Sequence, residues 1–358
     1  MELIIKPTEK CNFKCTFCSS THITDDKTSE LDLNHIFRFL ERFPDTNSII
    51  VNGGDPLMMP PKYYWDIINY LDAHDLPANI SFTTNLWPFY KNPNKWKELF
   101  NHPRMGICTS FQYGEGRLKG DLSVYTEEDF WKVSDAMLEH CGYRPDFITV
   151  ISEENEEYAL KHIELAQRMG VQCKMNYAMS SGPPVKFRGI TMGQEGRPYM
   201  LAKTYQIYVD IWKQGLTDFE YNTKQMVKRL KGSATTCPQN RDCDSTIRTL
   251  QPSGDYYSCG SFGDDRLYSI DFEKEMTGPK IFPIKFQPEL QSLKKACYTC
   301  PMFQICNGCK KTIKDLKDHN MVEGHCTIMK SLASDIIEAN GLTGILIPTE
   351  YVNEHVIL

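Results

Sequence analysis

Three cysteines near the start of the chain have a spacing that suits one metal cluster. Cys11, Cys15 and Cys18 follow the pattern C-x₃-C-x₂-C. Three thiolates on one short loop can hold three irons of a [4Fe–4S] cube and leave the fourth iron open. An open iron can bind the amino and carboxylate groups of S-adenosylmethionine and reduce its sulfonium, which generates a 5′-deoxyadenosyl radical that abstracts hydrogen. A three-thiolate zinc site, or cysteines buried in the core, are the alternatives.

Eight more cysteines crowd the last third of the chain and could hold further metal. They are Cys237, Cys243, Cys259, Cys297, Cys300, Cys306, Cys309 and Cys326. Eight thiolates are the number that two fully ligated [4Fe–4S] clusters require. Their C-x₂-C pairs suit tetrahedral zinc equally well, so two zinc sites remain open. Cys108, Cys141 and Cys173 lie in predicted strands or at a helix end, and we expect them to be buried small hydrophobes.

The composition excludes several classes of protein. The 358 residues carry 40 Lys and Arg against 46 Asp and Glu, a net charge of −6, and 41% are hydrophobic. Nucleic-acid-binding proteins concentrate Lys and Arg, so we expect no nucleic acid partner. We find no secretory signal and no apolar run of about 20 residues, so we expect a cytoplasmic protein without a membrane partner. Fourteen cysteines in a reducing compartment favour metal over disulfides.

Apolar residues in the first half alternate between strand and helix periodicity. The predicted strands are 3–5, 48–51, 79–82, 105–111, 147–151 and 172–177, and the predicted helices between them carry apolar stripes. Six such alternations imply parallel strands with crossover helices, in a barrel or a doubly wound sheet. In both, chemistry gathers at the carboxyl ends of the strands. Residues 180–196 read as a connection, followed by a helix near 205–214.

The first cysteine loop resembles the radical SAM superfamily, including the aromatic Phe17 before the third cysteine. This resemblance implies a partial (β/α)6 TIM-like barrel with Phe17 near the adenine of S-adenosylmethionine. Asn52-Gly53-Gly54-Asp55-Pro56 resembles the family's Gly-Gly-Glu-Pro segment, which holds the cofactor's amino group, with Asp55 in place of Glu. Asn85, Ser110 and Arg117 stand near family positions that contact the cofactor, and Arg117 would bind its carboxylate.

The later cysteines resemble the SPASM extension of radical SAM enzymes that mature peptides and proteins. The resemblance implies a small, loop-rich domain with two auxiliary [4Fe–4S] clusters. Cys237, Cys243, Cys259 and Cys309 would hold the first, and Cys297, Cys300, Cys306 and Cys326 the second. Cys306 and Cys309 are separated by two residues where the family usually has three. We therefore predict a radical SAM barrel over 1–190, a helical connection over 191–236, a SPASM domain over 237–335 and a tail over 336–358.

The resemblance predicts the cofactors more specifically than it predicts the reaction. We expect hydrogen abstraction from a side chain or α-carbon of a peptide or protein, giving an oxidised or crosslinked (thioether or C–C) ribosomal peptide. The alternatives are dehydrogenation or epimerisation of a small molecule, such as a sugar or antibiotic precursor, and a non-catalytic metal-binding module.

Several residues and partners follow from this expectation. Sulfatase maturases have a catalytic Asp directly after the third ligand of the first auxiliary cluster, where this chain has Gly260, so the catalytic base is unassigned. Asp255, Asp264 and Asp265 are expected at the surface. A flavodoxin or ferredoxin would supply electrons. Because ten residues precede Cys11, we expect a leader-dependent substrate to be captured by the barrel mouth or by a second protein.

Overall fold

The computed structural model describes most of the chain and divides it into two compact units. The described residues are 1–20, 26–182, 184–192, 199–230, 243–290, 297, 300, 302–306 and 309–342. Unit 1 comprises Met1–Ile148, Ser181–Glu195 and Asp242–Pro283, and unit 2 comprises Thr149–Ser180, Gly196–Arg241 and Ile284–Leu358. These packing units interleave along the chain. The boundaries predicted at residues 190, 236 and 335 divide the chain by the clusters that each segment would carry and not by packing. They stay a prediction.

The elements alternate in the first half as the periodicity predicts. The strands are β1 (Glu2–Ile5), β2 (Ser48–Val51), β3 (Asn79–Thr83), β4 (Met105–Ser110), β5 (Phe147–Ile151), β6 (Cys173–Tyr177), β7 (Val185–Phe187), β8 (Ile190–Met192), β9 (Ile247–Leu250) and β10 (Tyr256–Tyr257). The helices are α1 (Leu33–Arg42), α2 (Pro61–Ala73), α3 (Trp87–Lys91), α4 (Lys97–Phe100), α5 (Glu127–Cys141), α6 (Ala159–Met169), α7 (Leu201–Lys213), α8 (Tyr221–Leu230), α9 (Cys243–Thr246), α10 (Gly260–Asp264), α11 (Phe272–Thr277), α12 (Phe303–Cys306), α13 (Lys310–Asp318), α14 (Val322–Ser331) and α15 (Ala333–Ala339).

A mostly parallel sheet forms the centre of unit 1. Its strand order is β10-β9-β1-β2-β3-β4-β5, and consecutive strands from β1 to β5 pair in parallel. Alternate residues such as Leu3 and Ile5 in β1 are fully buried. Because period-2 burial fixes which face of a strand enters the core, the register follows from the apolar pattern. The sheet and its crossover helices confirm the predicted α/β class with parallel strands.

Local capping sets where the main helices of unit 1 begin. The Asp32 side chain accepts a hydrogen bond from Asn34 N at the start of α1. Thr126 and Asp129 form a reciprocal capping box at the start of α5, and Gly142 ends that helix in the left-handed conformation. Tyr64, Ile67, Ile68 and Leu71 of α2 are all buried, as their helical spacing predicts.

The structure adds three strand features that the sequence patterns did not reveal. β9 pairs in parallel with β1, in the register Glu2↔Ile247 to Ile5↔Leu250, and β10 pairs antiparallel with β9. The segment expected to be a plain connection contains the β7–β8 hairpin. Its two turn residues, Arg188 and Gly189, both have positive φ, as tight hairpin turns require.

Unit 2 contains the end of β5, β6 and a set of helices. The buried Glu220 carboxylate accepts hydrogen bonds from Met175 N of β6, at 2.9 Å, and Thr223 N of α8, at 2.5 Å. Gly170 ends α6 in the left-handed conformation, which glycine adopts without strain. Within the loop-rich cysteine segment the structure adds α13 and α14, which bury Ile313, Leu316 and Met329. No helix in the described part of the chain has the length and apolarity to cross a membrane.

Candidate functional site

The loop that carries the first three cysteines is held along its length by the segment that follows β4. Lys14 N donates to Leu118 O at 2.8 Å, and Thr16 N donates to Gly116 O at 2.8 Å. Phe13, between Cys11 and Cys15, is buried and forms an antiparallel bridge with Lys119. These backbone pairs fix the path of the loop between its cysteines.

The three cysteines of this loop share a water-poor environment. Cys11, Cys15 and Cys18 each keep some exposed surface, but the atoms packed around the sulfurs desolvate them. Burial raises the pKa of all three thiols, that of Cys18 to about 12. Bound cations favour thiolates in such surroundings, and iron would supply that charge. Among the described residues, no three His, Cys, Asp or Glu converge on a point that a single metal ion could occupy.

Gly53 and Gly54 let the turn after β2 lie against the chain that leads into Cys11. Gly54 N donates to Thr8 O at 2.9 Å, and the next residue donates from its backbone N to Lys10 O at 2.8 Å. A Cβ on Gly54 would lie 2.1 Å from Lys10 O, and Gly53 has a φ of +111°. Side chains at these two positions would displace the approach to the cysteine loop.

Asp55, the expected ligand of the cofactor's amino group, is buried and fully engaged in the protein. Its residue is 2% exposed. Oδ1 accepts from Leu57 N at 2.9 Å and Oδ2 from Asn85 N at 2.9 Å, and the Thr84 hydroxyl lies 2.9 and 3.0 Å from the two oxygens. The carboxylate therefore ties the end of β2 to the end of β3. Its contact with a cofactor stays a prediction.

Asn85 links the end of β3 to the cysteine loop. Its Nδ2 donates to Asn12 Oδ1 at 2.9 Å, and Asn12 Nδ2 donates back to Asn85 Oδ1 at 3.3 Å. The same Oδ1 accepts from Trp87 N at 2.9 Å. Because Asn12 directly follows Cys11, this reciprocal amide pair positions the first cysteine. A contact between Asn85 and a cofactor remains a prediction.

Arg117 is a buried cation with spare hydrogen-bonding capacity. The residue is 5% exposed, and its guanidinium lies 5.4 Å from the centre of the Phe13 ring and 5.3 Å from that of Tyr125. Its only hydrogen bond to the described residues runs from NH2 to Ser110 Oγ, at 2.7 Å, and Nε has no partner among them. A planar guanidinium with free donors fits a carboxylate. The pair predicted from the resemblance, Ser110 and Arg117, is thus brought together.

The remaining predicted cofactor contact, Phe17, is half-buried and has no aromatic partner among the described residues. An aromatic ring can stack on a nucleobase. Taken with the free Nε donor of Arg117 and the desolvated thiols, the residues present fit a [4Fe–4S] cluster with S-adenosylmethionine. Sequence reasoning overlooked Gln112, which is buried just after β4 with its Oε1 unpartnered in the described structure.

The cysteines of the last third fall in both units. Cys243 and Cys259 belong to unit 1, where Cys259 is the N-cap residue directly before α10. Cys297, Cys300, Cys306, Cys309 and Cys326 belong to unit 2. There, Cys300 N donates to Cys297 O at 3.0 Å, and Cys306 Sγ lies 3.4 Å from His325 Nε2. Cys237 lies outside the described residues, so both ligand sets stay predictions.

One acidic residue expected at the surface is buried, and that expectation was wrong for Asp264. Its residue is 4% exposed, its Oδ1 forms an ion pair with Lys6 Nζ, and its Oδ2 accepts from Ser19 Oγ at 3.1 Å. Asp255 is exposed, as expected. The overlooked signal was Lys6, a cation placed directly at the carboxyl end of the predicted first strand.

The three cysteines outside the two groups differ in burial. Cys173 in β6 is buried, as expected for a small hydrophobe. Cys108 in β4 and Cys141 at the end of α5 are only half-buried. The expectation of full burial was therefore correct for one of the three.

Comparison with known proteins supports part of this picture at the sequence level. Residues 5–166 match the family model described as the radical SAM superfamily. GTP 3′,8-cyclase from Vibrio vulnificus (strain YJ016) is 32% identical over 101 residues, 27% of this chain and 30% of that protein. The Mannheimia succiniciproducens enzyme of the same name is 30% identical over 100 residues, 27% of this chain and 29% of that protein. This chain thus spans less than a third of these relatives.

Solved structures resemble much more of the chain. The structure of anSMEcpe with bound AdoMet is 15% identical, has a TM-score of 0.64, and the match covers 99% of this chain and 98% of that one. SuiB from Streptococcus suis with S-adenosylmethionine is 17% identical, with a TM-score of 0.52, over 85% of this chain and 71% of that one. At such identities the likeness establishes the fold. The family match over residues 5–166, the fold and the cysteine loop all point to a radical SAM domain in the first half of the chain.

Proposed function

We propose that this chain is a radical SAM enzyme that abstracts hydrogen from a side chain or α-carbon of a peptide or protein. The product would be an oxidised residue or a new crosslink, either a thioether or a carbon–carbon bond. The observation that carries the proposal is the fold likeness to anSMEcpe along nearly the whole chain, including the segment with the later cysteines. That protein has also been solved with AdoMet and the Kp18Cys peptide, and SuiB with its precursor peptide SuiA.

The amino-terminal site would carry out cofactor cleavage. A radical SAM domain implies a [4Fe–4S] cluster and S-adenosylmethionine, which supply a reductively formed 5′-deoxyadenosyl radical when bound. Cys11, Cys15 and Cys18 would hold the cluster. The Arg117 guanidinium, backed by Ser110, would bind the cofactor's carboxylate, and Phe17 would lie against its adenine. Asp55 and Asn85 would act by fixing the strand ends against the loop.

The later cysteines would hold two auxiliary clusters. We propose Cys237, Cys243, Cys259 and Cys309 for the first and Cys297, Cys300, Cys306 and Cys326 for the second. The substrate loses one hydrogen atom to the radical, then a proton and an electron, so the product is lighter by two hydrogens. The electron would pass to the nearer auxiliary cluster, and a flavodoxin or ferredoxin would reduce the amino-terminal cluster.

Anaerobic turnover with candidate peptides tests this function. The purified, iron-loaded enzyme is incubated with reductant, S-adenosylmethionine and short peptides encoded beside its gene, and the peptides are weighed by mass spectrometry. We expect a loss of two hydrogens that depends on Cys11, Cys15 and Cys18. Deoxyadenosine formed in every reaction without a change in any peptide mass would contradict the proposed substrate class.

A small-molecule substrate is the second candidate, because the curated relatives are named GTP 3′,8-cyclase. Their likeness ends after about a hundred residues and does not extend along the chain as the peptide-bound structures do. The same assay with GTP, and with sugar precursors, separates the two candidates. Conversion of GTP with all peptides unchanged would favour the second.

A further inference from the structure

A buried ion pair lies at the carboxyl end of β1, between the amino-terminal strand and α10. Lys6 is the residue after β1, and Asp264 is the last residue of α10. Their side chains are 4% and 6% exposed. Burying two charges costs several kcal/mol each, which their attraction offsets only in good geometry. The burial of this pair therefore suggests a role other than stabilising the fold.

Hydrogen bonds connect this pair to the end of the cysteine loop. Ser19, which directly follows Cys18, donates from Oγ to Asp264 Oδ2 at 3.1 Å. The neighbouring Asp265 accepts from Gly182 N at 2.9 Å. A Cβ on Gly182 would lie 2.2 Å from Ser19 O, so the backbone at 182 lies directly against the segment after Cys18. The two acidic residues at the end of α10 thus hold the third cysteine's end of the loop from two sides.

We propose that the Lys6–Asp264 pair sets the reduction potential of the cluster held by Cys11, Cys15 and Cys18. This inference rests on the cluster of the proposed function but not on its substrate. Reduction places one more electron on the cluster, which a nearby carboxylate opposes and a nearby ammonium favours. In a buried, low-dielectric site such charges act strongly, and the two act in opposite directions.

The hydrogen bond from Ser19, which directly follows Cys18, places Asp264 and its partner Lys6 next to the end of the cysteine loop. An added electron on the cluster would be opposed by the charge of Asp264 and favoured by that of Lys6. Asp264 is not free to act as a substrate base, because Lys6 engages Oδ1 and Ser19 engages Oδ2.

An EPR-monitored redox titration of the full-length, iron-loaded enzyme tests the proposal. The amino-terminal cluster is recognised by the change in its signal when S-adenosylmethionine is added. At a fixed applied potential, Asp264→Asn should raise the ratio of reduced to oxidised cluster about tenfold, which is 59 mV for one electron. Lys6→Met should lower this ratio, and Lys6→Arg should restore it. Ser19→Ala removes a hydrogen bond without a charge and should change the ratio less than twofold.

Two results would overturn the proposal. One is a change of less than twofold in Asp264→Asn with the cluster intact. The other is a shift in the same direction for Asp264→Asn and Lys6→Met, which a structural role would produce. If Asp264→Asn fails to assemble the cluster, the apolar double variant Lys6→Met/Asp264→Leu is titrated in its place. A ratio of reduced to oxidised cluster equal to that of the wild type supports the proposed effect of the two charges. Loss of the cluster in the double variant refutes it. Iron content and peptide turnover of the wild type report separately on the proposed function.

Discussion

The amino-terminal cysteine loop and the carboxyl-terminal cysteines of unit 2 are positioned by different means. The loop of Cys11, Cys15 and Cys18 has backbone partners in the segment after β4, and the Asn12–Asn85 amide pair ties it to the sheet. In unit 2, Cys300 N donates to Cys297 O, and Cys306 ends the short helix α12 with its Sγ 3.4 Å from His325 Nε2. We expect the segment around these later cysteines to depend more on its metal for order than the first loop, which backbone hydrogen bonds tie to a distant part of the chain. Five predictions test this difference.

The largest effect should follow removal of the three loop thiols. Cys11→Ala/Cys15→Ala/Cys18→Ala should abolish cleavage of S-adenosylmethionine and lower the iron content from about twelve to about eight per chain. The fold of unit 1 should persist, because hydrogen bonds within the protein hold its sheet and its loop. Iron content is measured by iron analysis, cofactor cleavage by a deoxyadenosine assay, and the fold by circular dichroism. Collapse of the secondary structure would show that the loop also depends on metal.

Removing the thiols proposed for the second auxiliary cluster should disturb the structure of unit 2 instead. Cys297→Ala, Cys300→Ala, Cys306→Ala and Cys326→Ala together should cost about four irons. Amide hydrogen exchange in α13 and α14 should rise, since the helices near these cysteines lose their metal support. Cofactor cleavage at the amino-terminal site should continue. Unchanged exchange in both helices would mean that unit 2 is as independent of metal as the loop.

Mild acid should weaken unit 2 through His162 on α6. Burial lowers the pKa of this imidazole to about 4, although its hydrogen bond to Tyr158 O, at 2.7 Å, favours the charged form. The unfolded chain binds a proton near pH 6.5 and the folded chain only near pH 4, so stability falls as the pH drops through this window, by about 3 kcal/mol. His162→Gln should flatten this dependence in urea unfolding at several pH values. His74→Gln, at an exposed position, is the control variant.

Arg117→Ala should weaken binding of S-adenosylmethionine about 10- to 100-fold. A buried charge-assisted hydrogen bond contributes about 1.5–3 kcal/mol, and Arg117 has free donors for such bonds. Equilibrium binding to the iron-loaded protein measures the change. Arg144→Ala, which removes a partly exposed arginine paired with Asp135, is the matched control and should bind normally. Equal binding by both variants would remove Arg117 from the cofactor site.

The smallest effect should come from the Asn12–Asn85 amide pair. Asn12→Ala, Asn85→Ala and the double variant form a cycle whose coupling energy should be about 1 kcal/mol, the usual net value of a hydrogen-bonded pair. Denaturant unfolding of the metal-free protein isolates the contribution to the loop. A coupling energy near zero without metal would mean that the pair forms only around the cluster, which would erase the difference between the two cysteine regions.

The strands and helices of the first half could be predicted because the apolar pattern of each lies within a few consecutive residues. Leu3 and Ile5 alternate along a strand, and Tyr64 to Leu71 of α2 share one helical face. The pairing of β9 with β1 joins residues more than 240 apart in sequence, and no local pattern contains it. Asp264 was misjudged for the same reason. Its charge predicts exposure, but its partner Lys6 belongs to the far end of the chain. The cysteine motif predicted the family correctly because its spacing is local.

The parallel pairing of β1 with both β2 and β9 has a consequence for synthesis. One edge of β1 can be paired as soon as residue 51 has left the ribosome, but the other must wait for residue 250. At 5–20 residues per second, this interval of about 200 residues lasts roughly 10–40 s. During that time β1 is an open edge, and the first cysteine loop lacks α10 beside it. A nascent chain would be most accessible to iron delivery, and most exposed to aggregation, in that interval.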